Sequence, residues 1–391
     1  MRRQIAPNAI LQRPARDDEG TTLHIGSTPI APGAEPYVIA ELGVNHDGSL
    51  EQALALTDAA ASAGVDAIKL QLFRADLLLS QGCELAAYQR AAGETSAREM
   101  LRRLELPLDA CARVLERAHQ RGMHAIVTVF SLDLLDQACR LPWDAFKTAS
   151  PDIVHEPLLR GLMQTGRPLI VSTGAATEEE LVRAAHWFAP ARERACVLQC
   201  VSSYPTPIEQ AALGAISCVG EVMRMPAGYS DHTTGIETGS LAVMAGACVL
   251  EKHLTLDPKA QGPDHSASLT PEQMRRYTLL AKLSPQRVLL RARSEGHTFH
   301  MMPELGPPRK VLQPAEHDVR RLSRQSLVPV RDLPKGWTLR AEDLTCKRPG
   351  TGLAPWMLGR VVGRTLTTDV RGDWPLRAED VSGMMALVHV A

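Results

Sequence analysis

Residues 67–72 read Ala67-Ile68-Lys69-Leu70-Gln71-Leu72. The run is short and aliphatic, which suits a strand buried on both faces. A lysine flanked by Ile68 and Leu70 is hard to explain there as a surface charge. Buried, its ammonium needs a partner. Seven more runs share this character, at 37–41, 125–130, 145–148, 169–173, 197–201, 227–230 and 248–253. Helical patterns separate them, and several carry start signals. Ser49 precedes Gln52, and Thr177 precedes Glu180, at capping-box spacing. Thr270 is followed by Pro271 and Gln273, a cap, a first-turn proline and a box partner. Eight such alternations predict a (β/α)8 TIM barrel over residues 37–290. No Gly-rich dinucleotide fingerprint follows the first strand, which argues against a doubly wound sheet.

The flanks differ. Residues 1–36 are rich in Pro, Arg and Asp and read as an arm ending in a small hairpin near residues 23–30. Residues 291–320 open on a mixture of Arg, Pro, Gly and Met and read as a linker. Residues 321–385 read as a small β-rich domain. Within it, Asp332-Leu333-Pro334-Lys335-Gly336 and Asp369-Val370-Arg371-Gly372-Asp373 look like two copies of one turn.

Composition narrows the class. Hydrophobic residues make up 45% of the 391, enough for a large core. Lys and Arg (43) nearly cancel Asp and Glu (44), so no global field draws the chain to nucleic acid or an anionic membrane. The eight cysteines form no C-x-x-C pair and read as reduced thiols. No apolar run is long enough to span a bilayer, and no signal-peptide core follows the basic start. A cytoplasmic protein is expected.

Chemistry concentrates at the C-terminal ends of the proposed strands, the face on which such barrels build active sites. Glu41 ends the first strand, and Lys69 and Gln71 lie in the second. Thr128, Lys147, Ser150 and Asp152 follow on the third and fourth. Ser172, Ser202, Tyr204 and Ser230 continue the series, and His232 and Glu251-Lys252-His253 close it. One serine alone would be a turn residue. Together with two lysines, the hydroxyls suit an oxyanion such as phosphate. Each histidine alone would be a hydrogen-bonded core residue. As a pair on adjacent strands near Glu41, His232 and His253 suit a divalent metal: Mn2+, with Mg2+ or Co2+ as alternatives. Asp264, in the loop that follows, is placed to accept hydroxyls of a sugar, and His265 beside it reads as structural.

These residues resemble the N-acetylneuraminate (sialic acid) synthase family, which includes legionaminic and pseudaminic acid synthases. The likeness begins at residues 37–48 and runs through Asp66-Ala67-Ile68-Lys69-Leu70-Gln71 and Lys147-Thr148-Ala149-Ser150. It continues through Ser172-Thr173-Gly174, Cys200–Pro207, Gly228-Tyr229-Ser230-Asp231-His232 and Gly262-Pro263-Asp264-His265. Residues 324–328 and 347–352 resemble the family's antifreeze-like (SAF, β-clip) domain. Two departures stand out: Pro151-Asp152 where Gly-Glu is frequent, and Val127-Thr128-Val129-Phe130 where Ser-Thr-Pro-Phe is usual.

The resemblance implies condensation of phosphoenolpyruvate with an N-acylated amino sugar and water, giving a nine-carbon 2-keto acid and phosphate. It implies that Lys69, Thr128, Lys147, Ser150, Ser172, Ser202 and Ser230 contact phosphoenolpyruvate, and that His232 and His253 bind the metal. Gln71, Tyr204 and Asp264 would hold the sugar, and Asp152 or Glu41 would be the general base. A domain-swapped homodimer is implied, in which Arg324 (or Arg321) of one subunit reaches the sugar bound by the other. Whether that sugar is N-acetylmannosamine, a diacetamido-deoxy relative or a phosphorylated sugar stays open. Barrels that make seven- or eight-carbon sugar acids are the nearest rivals, but they lack the small domain. An ice- or carbohydrate-binding module with a dead barrel is the rival of another class.

Overall fold

A computed structural model describes residues 22–283 and 305–384. Residues 1–21 of the expected arm and 291–304 of the expected linker lie outside the described residues. Eight parallel strands close a barrel. They are β3 (Tyr37–Glu41), β4 (Ala67–Leu72), β5 (His124–Val129), β6 (Ala145–Thr148), β7 (Leu169–Ser172), β8 (Ala195–Cys200), β9 (Ala227–Asp231) and β10 (Val249–His253). β10 pairs back onto β3, with His253 opposite Glu41.

Both faces of each strand are buried, which is why the sequence shows aliphatic runs rather than polar alternation. Val38, Ala40, Ile68, Leu70 and Val127 point outward into the core shared with the helices. Ile39, Ala67, Ile126, Ala145 and Ile170 belong to a separate cluster inside the barrel. On the same inward face, two residues further on, come Glu41, Lys69, Thr128, Lys147 and Ser172. The barrel is therefore apolar at its floor and polar at its mouth.

The predicted hairpin exists as β1 (Leu23–Ile25) and β2 (Thr28–Ile30), paired antiparallel. Its Leu23, Ile25 and Ile30 join the inner cluster, so the hairpin seals the floor of the barrel. The helix starts follow the capping signals. Thr177 and Glu180, and Thr270 and Gln273, form reciprocal boxes. Ser49 accepts the Gln52 amide, but the Gln52 side chain turns to Asn45 and Asp47, so that box is half made. Among the described residues no helix is long and apolar enough to cross a membrane, and all eight cysteines are free.

The small domain contains β11 (Ser326–Pro329) and β12 (Leu344–Lys347), paired antiparallel. Its own core is built on Leu327, Leu339, Leu353, Val361 and Leu376. The two similar turns pair with each other: Leu333 N donates to Val370 O, and Val370 N to Leu333 O. The likeness extends further than the turns. Arg340-Ala341-Glu342-Asp343 and Arg377-Ala378-Glu379-Asp380 each form a 3-10 turn capped by its own aspartate.

The described part of the expected linker is not loose. Residues 305–316 run against the barrel, and His317–Ser323 forms a helix on it. Beyond this strap the small domain sits on its own chain's barrel mouth. Ser80 N donates to Arg348 O at 3.0 Å, Arg348 N to Leu78 O at 2.8 Å and Gln81 N to Asp373 O at 2.9 Å.

Candidate active site

The inward residues of neighbouring strands meet at the mouth because the parallel register sets them side by side. Glu41 lies opposite Lys69, Thr128 opposite Lys147, and Ser230 opposite Glu251. Lys69 ion-pairs with Glu41, donates to Thr128 Oγ1 at 3.1 Å and stands 3.7 Å from Glu251. Lys147 stands 3.3 Å from the same Glu251 oxygen, to which Ser230 Oγ donates at 3.2 Å. All four charged side chains are buried, so two ammoniums and two carboxylates balance one another away from water.

This balance sets their protonation. Burial raises the Glu41 carboxyl to about 7, against the pull of Lys69. Burial also opposes charge on Lys69 and Glu251, yet the neighbours win: Glu251 and Glu41 hold the Lys69 ammonium above its usual range, and Lys147 and Lys69 hold the Glu251 carboxylate below its own. Burial keeps Lys147 below the usual lysine value, with Glu251 offsetting only part of the effect.

Beside the lysines lies a hydroxyl cluster. Ser150 and Ser172 share a 2.9 Å hydrogen bond, and Gly174 N donates to Ser150 Oγ at 3.0 Å. A Cβ on residue 174 would fall 2.2 Å from Ser202 Oγ and 2.7 Å from Ser150 Oγ. Glycine there is what lets the loops after β6, β7 and β8 converge. Two cations, several hydroxyls and a backbone amide together suit a phosphate or carboxylate.

The opposite side holds the imidazoles. The His232 and His253 rings lie 5.6 Å apart, and Tyr204 packs 4.1 Å from His232. His232 Nδ1 donates to Val201 O at 2.8 Å, so Nε2 is the nitrogen left to face a ligand. Burial opposes charge on this ring, but the neighbouring Cys200 raises it above its ordinary value, so a metal at Nε2 would have to displace a proton. His253 Nδ1 is buried without a hydrogen-bond partner, 3.9 Å from the Asp264 carboxylate. Burial, with His232 and the lysines nearby, keeps the His253 ring neutral, the state that binds a metal. Both imidazoles fit a divalent ion. Among the described residues no group of three or more His, Cys, Asp or Glu is placed to hold one, so further ligands would come from substrate and water.

Gln71, Thr128, Tyr204 and Asp264 all line the same cavity as the lysines, serines and histidines. Burial pushes the Asp264 carboxyl up to about 6. Asp152 lies outside this cavity, and so, within its own chain, does Arg324, which is expected to act on the sugar of a partner subunit. Asp152 does not line the cavity: its carboxylate caps its own turn at Ala149 N (3.0 Å) and accepts from Gln325 at 3.4 Å. It belongs to the 3-10 turn Ser150–Val154. Arg324 is bound to Glu180, Ala175 O and Pro151 O, outside the cavity.

The small-domain arginine that does reach the mouth is Arg348, which lies over the Phe130 ring at 5.7 Å. Sequence reasoning misses two contributors and gives a third no role. Glu251 stands in the Glu251-Lys252-His253 run at a strand end, but its place between two lysines is not legible there. Arg348 sits in the Lys347–Gly352 run. Tyr88 comes from the excursion between β4 and β5, where no local pattern marks it.

Comparison with known proteins identifies the family. The NeuB family model matches residues 56–283, and the SAF domain model matches residues 324–382. The chain is 35% identical over 352 residues to an N,N'-diacetyllegionaminic acid synthase of Legionella pneumophila, covering 88% of this chain and 94% of that one. It is 30% identical to a pseudaminic acid synthase of Campylobacter jejuni, covering 86% and 93%. Among solved structures, the spore coat polysaccharide biosynthesis protein SpsE of Bacillus subtilis superposes with a TM-score of 0.77 at 27% identity, over 92% of this chain and 99% of that one. By family match, by close relatives and by both domains in order, the chain belongs to the NeuB family.

Proposed function

We propose that the protein condenses phosphoenolpyruvate with an N-acetylated amino sugar and water, releasing phosphate and a nine-carbon 2-keto acid. One observation carries this reading. Two buried lysines and a hydroxyl cluster, fit for a phosphate and a carboxylate, share one mouth with the imidazoles of His232 and His253, the latter with an unpartnered buried nitrogen.

The chain's own groups account for most of the chemistry. Lys69, Lys147, Ser150, Ser172, Ser202, Ser230 and Thr128 hold the phosphate and carboxylate. Their fixed positions bring the enol methylene of phosphoenolpyruvate to the sugar's aldehyde carbon. A carbon–carbon bond forms, and water adds at the former enol carbon. Glu41, with a carboxyl near 7, is the base that takes the water's proton. Phosphate leaves by carbon–oxygen cleavage, and the keto group remains. A divalent ion held by His232 and His253, Mn2+ by preference, would polarise the aldehyde oxygen. Arg348, rather than Arg324, contacts the sugar's N-acyl group.

The same cavity is also lined by Phe73, Leu78, Met100, Leu104 and Phe130. An apolar wall favours a sugar bearing a deoxy carbon over one bearing a hydroxyl or phosphate. On this reading a diacetamido-deoxy sugar ranks ahead of N-acetylmannosamine, and the likeness to the Legionella synthase and to a second legionaminic acid synthase, 32% identical, from Campylobacter jejuni supports that ranking. We place the reaction in the cytoplasm, where phosphoenolpyruvate is made. A homodimer would exchange the small-domain contacts between two copies, and light scattering at twice the chain mass is the expected result.

Phosphate release in Mn2+ with a panel of amino sugars tests the function. Release with a diacetamido-deoxy sugar supports it. Release with no sugar in the panel overturns it.

A further inference from the structure

The strap between barrel and small domain carries a carboxylate that the chemistry above does not use. Glu316 is fully buried, yet it faces backbone amides. Its Oε1 accepts from Ala175 N at 2.6 Å and Ser202 N at 2.8 Å, and its Oε2 from Gln313 N at 2.9 Å. Ala175 follows Gly174, whose amide holds Ser150 Oγ, and Ser202 itself lines the cavity. Glu316 thus joins the loops after β7 and β8 from behind the hydroxyl cluster. A second buried group of the strap, Lys310, donates to Gln199 Oε1 and Cys200 O, both at 3.0 Å, lower on β8. It anchors the strap without touching either loop amide.

We infer that Glu316 is a positioning residue: from the strap it fixes the Gly174–Ala175 and Ser202 backbone so that Ser150, Ser172 and Ser202 receive the phosphate of phosphoenolpyruvate. The inference rests on the proposed function. A buried carboxylate bound to amides is held strongly, because charge-assisted bonds out of water are the stronger kind. The strap also leads directly into the domain that brings Arg348 to the mouth.

The test is calorimetric titration of the full chain with phosphoenolpyruvate, together with KM for each substrate, in Glu316→Ala, Glu316→Gln and Lys310→Met. Glu316→Ala is expected to weaken phosphoenolpyruvate binding roughly tenfold to a hundredfold, with the sugar KM changed less than about threefold. Glu316→Gln keeps one acceptor oxygen and the volume, so it recovers part of the loss and decides the matter if the alanine variant does not fold. Lys310→Met lowers the melting temperature and leaves phosphoenolpyruvate affinity within about threefold. Wild-type protein that binds phosphoenolpyruvate, alongside Glu316 variants that bind it equally well, overturns the inference alone. A comparable loss in Lys310→Met also overturns it, because strap attachment in general would then be the cause. Wild-type protein that binds no phosphoenolpyruvate overturns the functional reading and this inference with it.

Discussion

Replacing Lys69 with Met isolates the electrostatics of the barrel mouth. Lys69 pairs directly with Glu41 and stands 3.7 Å from Glu251, with all three side chains buried. Removing the ammonium leaves Glu41 without its cation, while Glu251 keeps Lys147 at 3.3 Å. Breaking a buried pair from one side costs about 3–5 kcal/mol, because the remaining charge is stranded. The cost depends on pH in a definite direction. Glu41 titrates near 7 with Lys69 present, and loss of that attraction moves it higher still. At pH 8 the variant must keep a stranded carboxylate or bind a proton against the solution. At pH 5 the carboxyl is already neutral and needs no partner. Urea unfolding should therefore show a loss of about 3–5 kcal/mol at pH 8 and less than about 2 kcal/mol at pH 5. Adding Glu41→Gln should recover about 2–3 kcal/mol at pH 8, the coupling expected of groups in direct contact. A loss under about 1 kcal/mol at pH 8, or an equal loss at both pH values, would show that Lys69 does not neutralise a buried Glu41 carboxylate.

Three further outcomes follow from the site. In wild-type protein, kcat/KM should fall as pH drops through about 7, because Glu41 must be ionised to accept a proton, and Glu41→Gln should abolish that limb and lower the rate roughly 10²- to 10⁴-fold. His253→Ala should remove metal-dependent turnover, and full activity of that variant with chelator present would contradict the metal assignment. Arg348→Ala should cut kcat/KM for the sugar about tenfold to a hundredfold with the melting temperature nearly unchanged, whereas Arg324→Ala should lower the melting temperature by breaking its contacts to Glu180 and Ala175.

The barrel was legible because its determinants are local. Each strand is a short aliphatic run, and Thr177 with Glu180 and Thr270 with Gln273 mark helix starts in the chain itself. The mouth was partly legible for a related reason: Glu41, Lys69, Thr128 and Lys147 follow apolar inward residues at strand spacing, so their convergence is a consequence of barrel closure.

What escaped depends on long-range contact or on side-chain direction. Asp152 sits two residues after Ser150, but the intervening turn aims it at Ala149 and Gln325. Arg324 and Arg348 are both small-domain arginines, and only the docking of that domain distinguishes them. The strap reads as a Pro- and Arg-rich linker, and nothing in its composition tells Glu316 that it will meet the amides of Ala175 and Ser202. Glu251 was seen beside His253, but its place between two lysines appears only when β10 closes against β3.

The proposed reaction forms a carbon–carbon bond and loses phosphate by carbon–oxygen cleavage. Mass spectrometry of both products after turnover in oxygen-18 water tests it most directly, with phosphoenolpyruvate, Mn2+ and a diacetamido-deoxy sugar as reactants. The expected products are a keto acid with the mass of sugar plus pyruvate and one label, and unlabelled phosphate. Labelled phosphate, with free pyruvate and unchanged sugar, would contradict it.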